Sequence, residues 1–220
     1  MKIWACPSTD QRIIGTNNIP NHDATIFNRF QMCKRNYHVV LPINATVSGT
    51  IAETTATIGF GLNGVLFSAL ETGGEDAVEP IGQDAPKDAR WWHGHPTAKD
   101  IWHYHNPRVG NDENNWDTST LLGYAMDGFS IYGHLGDIAA ETVLDPCNFD
   151  SANGRYHVRT LDQVNETAPY CDGDESVNWK YILGCYVGTL HDSAIYDTVK
   201  DFGEPDGCTL EYCVGPAGFC

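Results

Sequence analysis

Two stretches of this chain superpose without a gap. Ile58-Gly59-Phe60-Gly61-Leu62-Asn63-Gly64-Val65 lies over Leu122-Gly123-Tyr124-Ala125-Met126-Asp127-Gly128-Phe129, and every position is identical or chemically close. In each, an Asn-Gly or Asp-Gly pair stands between two apolar arms, the strongest short-range signal for a tight β-hairpin. Convergence on these dipeptides for steric reasons is the plain alternative. A true repeat implies two related halves packed about a pseudo-twofold axis.

The rest of the chain agrees with a β reading. Its 22 glycines and 11 prolines are spread widely, and the short segments between them are rich in Val, Ile, Thr, Tyr, Phe and Trp. Tyr37–Leu41 and Ala45–Ile51 read as early strands, Ile58–Phe67 and Leu122–Tyr132 as hairpins. Helical periodicity is weak, with Leu135–Thr142 and Asp192–Phe202 as the two short candidates. The expected fold is a single, mostly β domain over residues 1–220, sandwich or barrel-like. Its halves are 17–110 and 111–190, and a cysteine-rich tail follows at 191–220.

Eight cysteines without a CxxC argue for disulfides in an oxidising compartment rather than a zinc finger or a thioredoxin-like site. Cys147 precedes the second histidine strand and Cys185 follows the apolar run Tyr181–Leu183, so these two are expected to pair. Cys208, Cys213 and Cys220 are expected to pin a tail poor in apolar residues. The sequons at Asn44 and Asn165 permit N-glycosylation. No apolar run approaches the about 18 residues needed to cross a bilayer, and the start, MKIWACPSTD, has no signal-peptide core. A secreted protein whose leader is absent from this sequence is the expectation. A net charge of -16 argues against nucleic acid or an anionic membrane as partner.

Chemistry concentrates in Trp91–Pro107, WWHGHPTAKDIWHYHNP, which holds four of the nine histidines. His93 and His95 flank Gly94, and His103 and His105 flank Tyr104. That i, i+2 spacing puts both rings of a pair on one face of a strand. Neutral imidazole is a common ligand for zinc and copper, and three protein ligands with one open position are the pattern of catalytic zinc sites. Each hairpin leads to a histidine strand, Trp102–His105 and Tyr156–Arg159. Laid side by side, His157 takes the place of His103 and Arg159 that of His105. His103, His105 and His157 are then expected to share one ion across the axis, with His93 or His95 as a further ligand.

The WHYH strand, GYAMDGFSIYG, LDPCN at Leu144–Asn148, GRYHVRT, YILGCYVG at Tyr181–Gly188 and NNIPNH at Asn17–His22 occur here in one order. In these the chain resembles the YHYH-domain proteins over about residues 17–190. That family is usually secreted and takes its name from a doubled Tyr-His motif. Two departures stand out: Trp102 replaces the first tyrosine, and Arg159 stands in place of the last histidine.

Two functions follow from these residues. In one, a zinc or copper ion activates water or oxygen for hydrolysis, hydration or oxidation of a small or anionic substrate, which Arg159 would attract. In the other, Trp91, Trp92, Trp102 and Trp116 present flat faces to a glycan or matrix partner, and the histidines are structural. Tyr104 is expected on the face opposite its neighbouring histidines, and Asp127 is first a turn residue that could orient an imidazole. His22 and His134 stand where loops could approach the site; His38 reads as structural and His191 has no distinguishing context. Calcium has only Asn111–Asp117 and Asp172–Glu175, which lack EF-hand spacing. No GxSxG, P-loop, dinucleotide fingerprint or HExxH occurs.

Overall fold

The computed structural model describes residues 1–21, 33–53, 57–68, 95–96, 101–104, 118–135, 143–161, 179–181, 183–190 and 205–213, with the backbone alone at 95–96, 159–161 and 179–181. Strands dominate these residues, and a 3-10 turn at Pro7–Thr9 interrupts the first two. The fold is mostly β, as the turn-rich sequence predicts.

Strands β1 (Lys2–Cys6), β2 (Gln11–Thr16), β3 (Tyr37–Pro42) and β16 (Thr209–Cys213) make an antiparallel sheet in the order β16-β1-β2-β3. Sequence pattern marks β3 but neither β1 nor β2. Both bury residues on two faces: Ile3 and Ile14 enter the main core, while Trp4 and Ile13 join Cys6 in a small cluster behind it. Apolar residues on both faces erase the alternation that reveals a half-buried strand. The tail is tied down as expected at Cys208, which bonds Cys6 at the end of β1, and at Cys213, which is also disulfide-bonded; Cys220 lies outside the described residues.

Eight strands make the second sheet: β5 (Thr57–Gly61), β6 (Leu66–Ser68), β7 (His95–Pro96), β8 (Trp102–Tyr104), β9 (Leu121–Ala125), β10 (Ser130–Tyr132), β11 (Phe149–Asp150) and β12 (Arg155–His157). Their order, β11-β12-β10-β9-β5-β6-β8-β7, reads the same from either end once each strand is replaced by its counterpart in the other half. β5 pairs antiparallel with β6, and β9 with β10. The third strand is parallel to the second in both halves, and the outermost pair is antiparallel in both. The register slips at Ile58 in one hairpin and at Leu122, its counterpart, in the other, so the halves share a bulge.

The halves meet where β5 pairs with β9. Phe60 opposes Tyr124, its own counterpart, and the flanking pairs are Gly59 with Ala125 and Gly61 with Gly123. A local twofold axis passes through the Phe60–Tyr124 pair. A Cβ on Gly59 would run into the Tyr124 carbonyl, and one on Gly123 into the Phe60 carbonyl, so both glycines are required by close approach. The repeating unit runs over 57–104 and 121–157, inside the halves expected from sequence; the strands up to Pro42 belong to the other sheet.

One face of the four-stranded sheet packs on the eight-stranded sheet. Tyr37, Val39, Leu41, Ile3 and Ile14 share a core with Phe60, Phe67, Leu122, Ile131 and Tyr156, and the Tyr37 and Phe60 rings meet edge to face at 6.3 Å. Burying each such side chain is worth about 1.5–3 kcal/mol. The arrangement is a sandwich, and among the described residues the eight-stranded sheet ends at β11 and β7. Two short pairs complete it: β4 (Val47–Glu53) with β15 (Cys185–Gly188), and β13 (Arg159–Leu161) with β14 (Trp179–Tyr181). Cys147 and Cys185 are bonded as expected, Cα atoms 4.7 Å apart, which ties β15 to the second half. The two expected helices fall almost wholly outside the described residues. No described helix is long and apolar enough to cross a membrane.

Adding a methyl group at the axis tests this packing. Gly123→Ala should lower unfolding free energy in urea by about 1–3 kcal/mol, the usual cost of overpacking. Gly49→Ala, whose Cβ would meet nothing within 4 Å, should cost nothing measurable. Equal stability of the two variants would contradict the close approach.

Candidate functional site

Each hairpin turn is held by its own side chain. The amide of Gly64 donates to the Gly61 carbonyl (2.8 Å), and that of Gly128 to the Ala125 carbonyl (2.9 Å). Only the glycine of each pair is left-handed, with φ +85° at Gly64 and +90° at Gly128. Oδ1 of Asn63 accepts from the Val65 amide (3.2 Å) and Oδ1 of Asp127 from the Phe129 amide (3.4 Å). These are three-residue loops with a glycine bulge rather than two-residue turns.

The other end of each turn side chain reaches the third strand. Nδ2 of Asn63 donates to the Tyr104 hydroxyl at 2.9 Å, and the Tyr156 hydroxyl donates to Oδ2 of Asp127 at 2.6 Å. Both tyrosines are fully buried. Ladder register makes the same match, since Phe67 pairs with Tyr104 and its counterpart Ile131 with Tyr156. Tyr104 therefore corresponds to Tyr156. The place of His157 in the first half belongs to His105, and that of Arg155 to His103. This corrects by two residues the side-by-side reading that equated His157 with His103 and Arg159 with His105. The turn-to-tyrosine bond, invisible in sequence, fixes the alignment.

Asp127 is a tyrosine partner rather than an orienter of imidazole. Its Oδ2 also accepts from the Gly188 amide (3.0 Å), while the Val187 amide donates to the Tyr156 hydroxyl (2.8 Å). Burial pushes the Asp127 carboxyl above its ordinary range, against the pull of the Tyr156, Gly188 and Phe129 donors. Burial also raises the Tyr156 phenol, and the Asp127 carboxylate raises it further. Tyr104 is raised by burial too. In the first half the N-terminal segment plays the part of β15: Oδ1 of Asn21 accepts from Nδ2 of Asn63 (3.3 Å), and Asn18 ties β6 to β8 by accepting from the Leu66 amide (3.0 Å) and donating to the Trp102 carbonyl (2.7 Å).

His157 is fully buried on β12. Its Nδ1 lies 2.7 Å from the Gly133 carbonyl; a carbonyl only accepts, so Nδ1 carries the proton and Nε2 is an acceptor. That Nε2 has no hydrogen-bond partner among the described residues. His103, buried on β8, likewise has Nδ1 3.3 Å from the Ile101 carbonyl. His95 on β7 is the direct register partner of His103.

The structure does not bring His103 and His157 onto neighbouring strands. Between them lie β6, β5, β9 and β10, five ladder steps of about 4.8 Å each, or about 24 Å along the sheet. Among the described residues no three His, Cys, Asp or Glu side chains gather as a metal group. His93, His105, His22, His191, Asn165, Trp91, Trp92, Trp116 and both acidic stretches lie outside the described residues, as do the side chains of His95 and Arg159. Trp102 is buried, which removes it from any exposed tryptophan face. His38 is half-buried on β3, where burial lowers its pKa. Sequence reasoning passed over Arg155, two residues before His157 on the same strand; that i, i+2 spacing was the available signal.

A family model described as YHYH protein matches residues 38–194. No curated protein and no solved structure matches significantly.

Two outcomes follow from these contacts. Asp127→Asn puts an amide where three donors converge and should cost about 1–3 kcal/mol in urea unfolding, the penalty of an unpaired buried donor. Burial lowers the His157 pKa, partly offset by the Gly133 bond, with Arg155 lowering and Asp150 raising it. Its stabilising effect is then complete above about pH 6.5, the unfolded value, and is lost as pH falls toward the lower folded value. Urea midpoints measured from pH 8 to 5 should fall less in His157→Gln than in the parent; identical slopes would contradict this.

Proposed function

The chain belongs to the YHYH family, and from that premise we propose a secreted protein that holds one zinc or copper ion in the first half of its repeat, on His95, His103 and His105. The observation that carries this reading is the register of β7 against β8, which pairs His95 with His103. Directly opposed residues of an antiparallel ladder have Cβ atoms about 5 Å apart on one face, a separation two imidazoles can bridge through a common ion. His105 follows His103 at i+2 and adds the third imidazole; His93 stands at the same spacing from His95 as a fourth candidate. The contact of His103 Nδ1 with a backbone carbonyl supports the assignment, because metal-binding imidazoles usually donate their second ring nitrogen in this way. His157 belongs to the other end of the sheet and is left out of the ion's shell.

Three imidazoles and an open position suit a catalytic ion. Zinc there would lower the pKa of water to about 7, which fits hydrolysis or hydration of a small or anionic substrate, and copper would fit oxidation. The Cys6–Cys208 and Cys147–Cys185 disulfides support an oxidising, extracellular setting. Asn44, exposed in the loop after β3, supports glycosylation there.

Metal analysis by mass spectrometry of untagged protein should find about one zinc or copper per chain. His95→Ala and His103→Ala should each lower affinity by far more than the roughly 10 to 100-fold of losing an outer-shell partner. His157→Ala and His38→Ala should keep the ion, and acid should release it as imidazoles protonate near or below about pH 6.5. Full occupancy in both His95→Ala and His103→Ala would overturn the site.

A further inference from the structure

The second half keeps the strand arrangement of the first but not its histidines. Register puts Arg155 where the first half has His103, and Asp150 where it has His95. On this face two polar atoms are buried without a hydrogen-bond partner among the described residues: Nε2 of His157 and Nε of Arg155. The residues are two apart on β12 and share one face of the sheet. Tyr132, the register partner of His157, has its ring centroid 6.0 Å from the imidazole, and the Arg155 guanidinium lies 4.5 Å over the same ring. Asp150 is engaged by its own turn, accepting from the Ala152 amide (3.0 Å) and from the amide and side chain of Asn153 (3.2 and 2.6 Å).

The chemistry of the two orphaned atoms narrows what can satisfy both. Arg155 only donates, and the Nδ1–H bond to Gly133 leaves His157 Nε2 only able to accept. A cation at Nε2 would sit beside the fixed charge of Arg155. An anion would face the Nε2 lone pair. A neutral hydroxyl accepts from one and donates to the other. We propose that this face is a hydroxyl-binding subsite, in which Arg155 Nε–H and His157 Nε2 hold one alcohol group of a neutral polyol or saccharide beside the Tyr132 ring. Both atoms are closed off from solvent, whereas the Arg155 and Tyr132 side chains are half-buried, so a ligand enters as those two side chains move aside. The two halves then differ in chemistry as well as sequence: imidazoles for a cation in the first, an arginine–imidazole pair for a neutral hydroxyl in the second.

The test is nitrogen NMR of the full chain labelled in histidine, titrated separately with glycerol, methyl glucoside, methyl galactoside, methyl mannoside, sodium phosphate and zinc chloride. The His157 ring signals should report an Nδ1–H tautomer. Its Nε2 signal should shift saturably with at least one hydroxyl probe and with neither phosphate nor zinc. Arg155→Met and the charge-keeping Arg155→Lys, each checked for folding by circular dichroism, should both weaken that response at least tenfold, because neither has an Nε–H. A His157 signal that moves with no hydroxyl probe, as when an internal water alone satisfies both atoms, overturns the subsite. So does one that moves with zinc or phosphate, or full binding in Arg155→Lys.

Discussion

The bond between a turn side chain and a buried tyrosine holds each half of the repeat together. Strands β8 and β12 are three residues long, each parallel to its inner neighbour and antiparallel to a two-residue outer one, too short for ladder bonds alone to set their register. Asn63 and Asp127 supply the missing constraint by closing a hairpin with one oxygen and gripping a core tyrosine with the other end. The flanking Arg155 and His157, and His103 beside Tyr104, are placed by that grip. The two versions run in opposite directions, amide to hydroxyl in the first half and hydroxyl to carboxylate in the second. Each then recruits different chain to complete its bonding: Asn21 of the N-terminal segment accepts from Asn63, and Gly188 of β15 donates to Asp127.

This asymmetry explains why the repeat is not a pair of equal sites. Asp127 needs donors from a strand anchored by the Cys147–Cys185 bond, whereas Asn63 brings its own donor. With the same scaffold, the outer face carries His95 and His103 in register on one side and Asp150 and Arg155 on the other. The axis passes between β5 and β9, so equivalent outer strands lie at opposite ends of the sheet. A twofold relation therefore separates the histidine strands instead of bringing them to a common centre.

Much of this was legible in the residues. The twin hairpins, the β class, the Cys147–Cys185 pair and the family resemblance rest on local patterns: turn dipeptides that demand a left-handed glycine, apolar arms and cysteine placement. Local patterns survive in any fold that keeps the hairpins. β1 and β2 escaped because apolar residues on both faces leave no periodicity.

The sequence by itself determined that two equivalent units exist and which residue types crowd each histidine strand. Tertiary structure decided the correspondence between the units and the distance between their histidines. Side-by-side alignment of WHYH with YHVR has no internal marker of register, because a three-residue strand can slide by two and keep its faces. Only the hydroxyls of Tyr104 and Tyr156, reaching back to Asn63 and Asp127 across about forty and thirty residues of chain, remove that freedom.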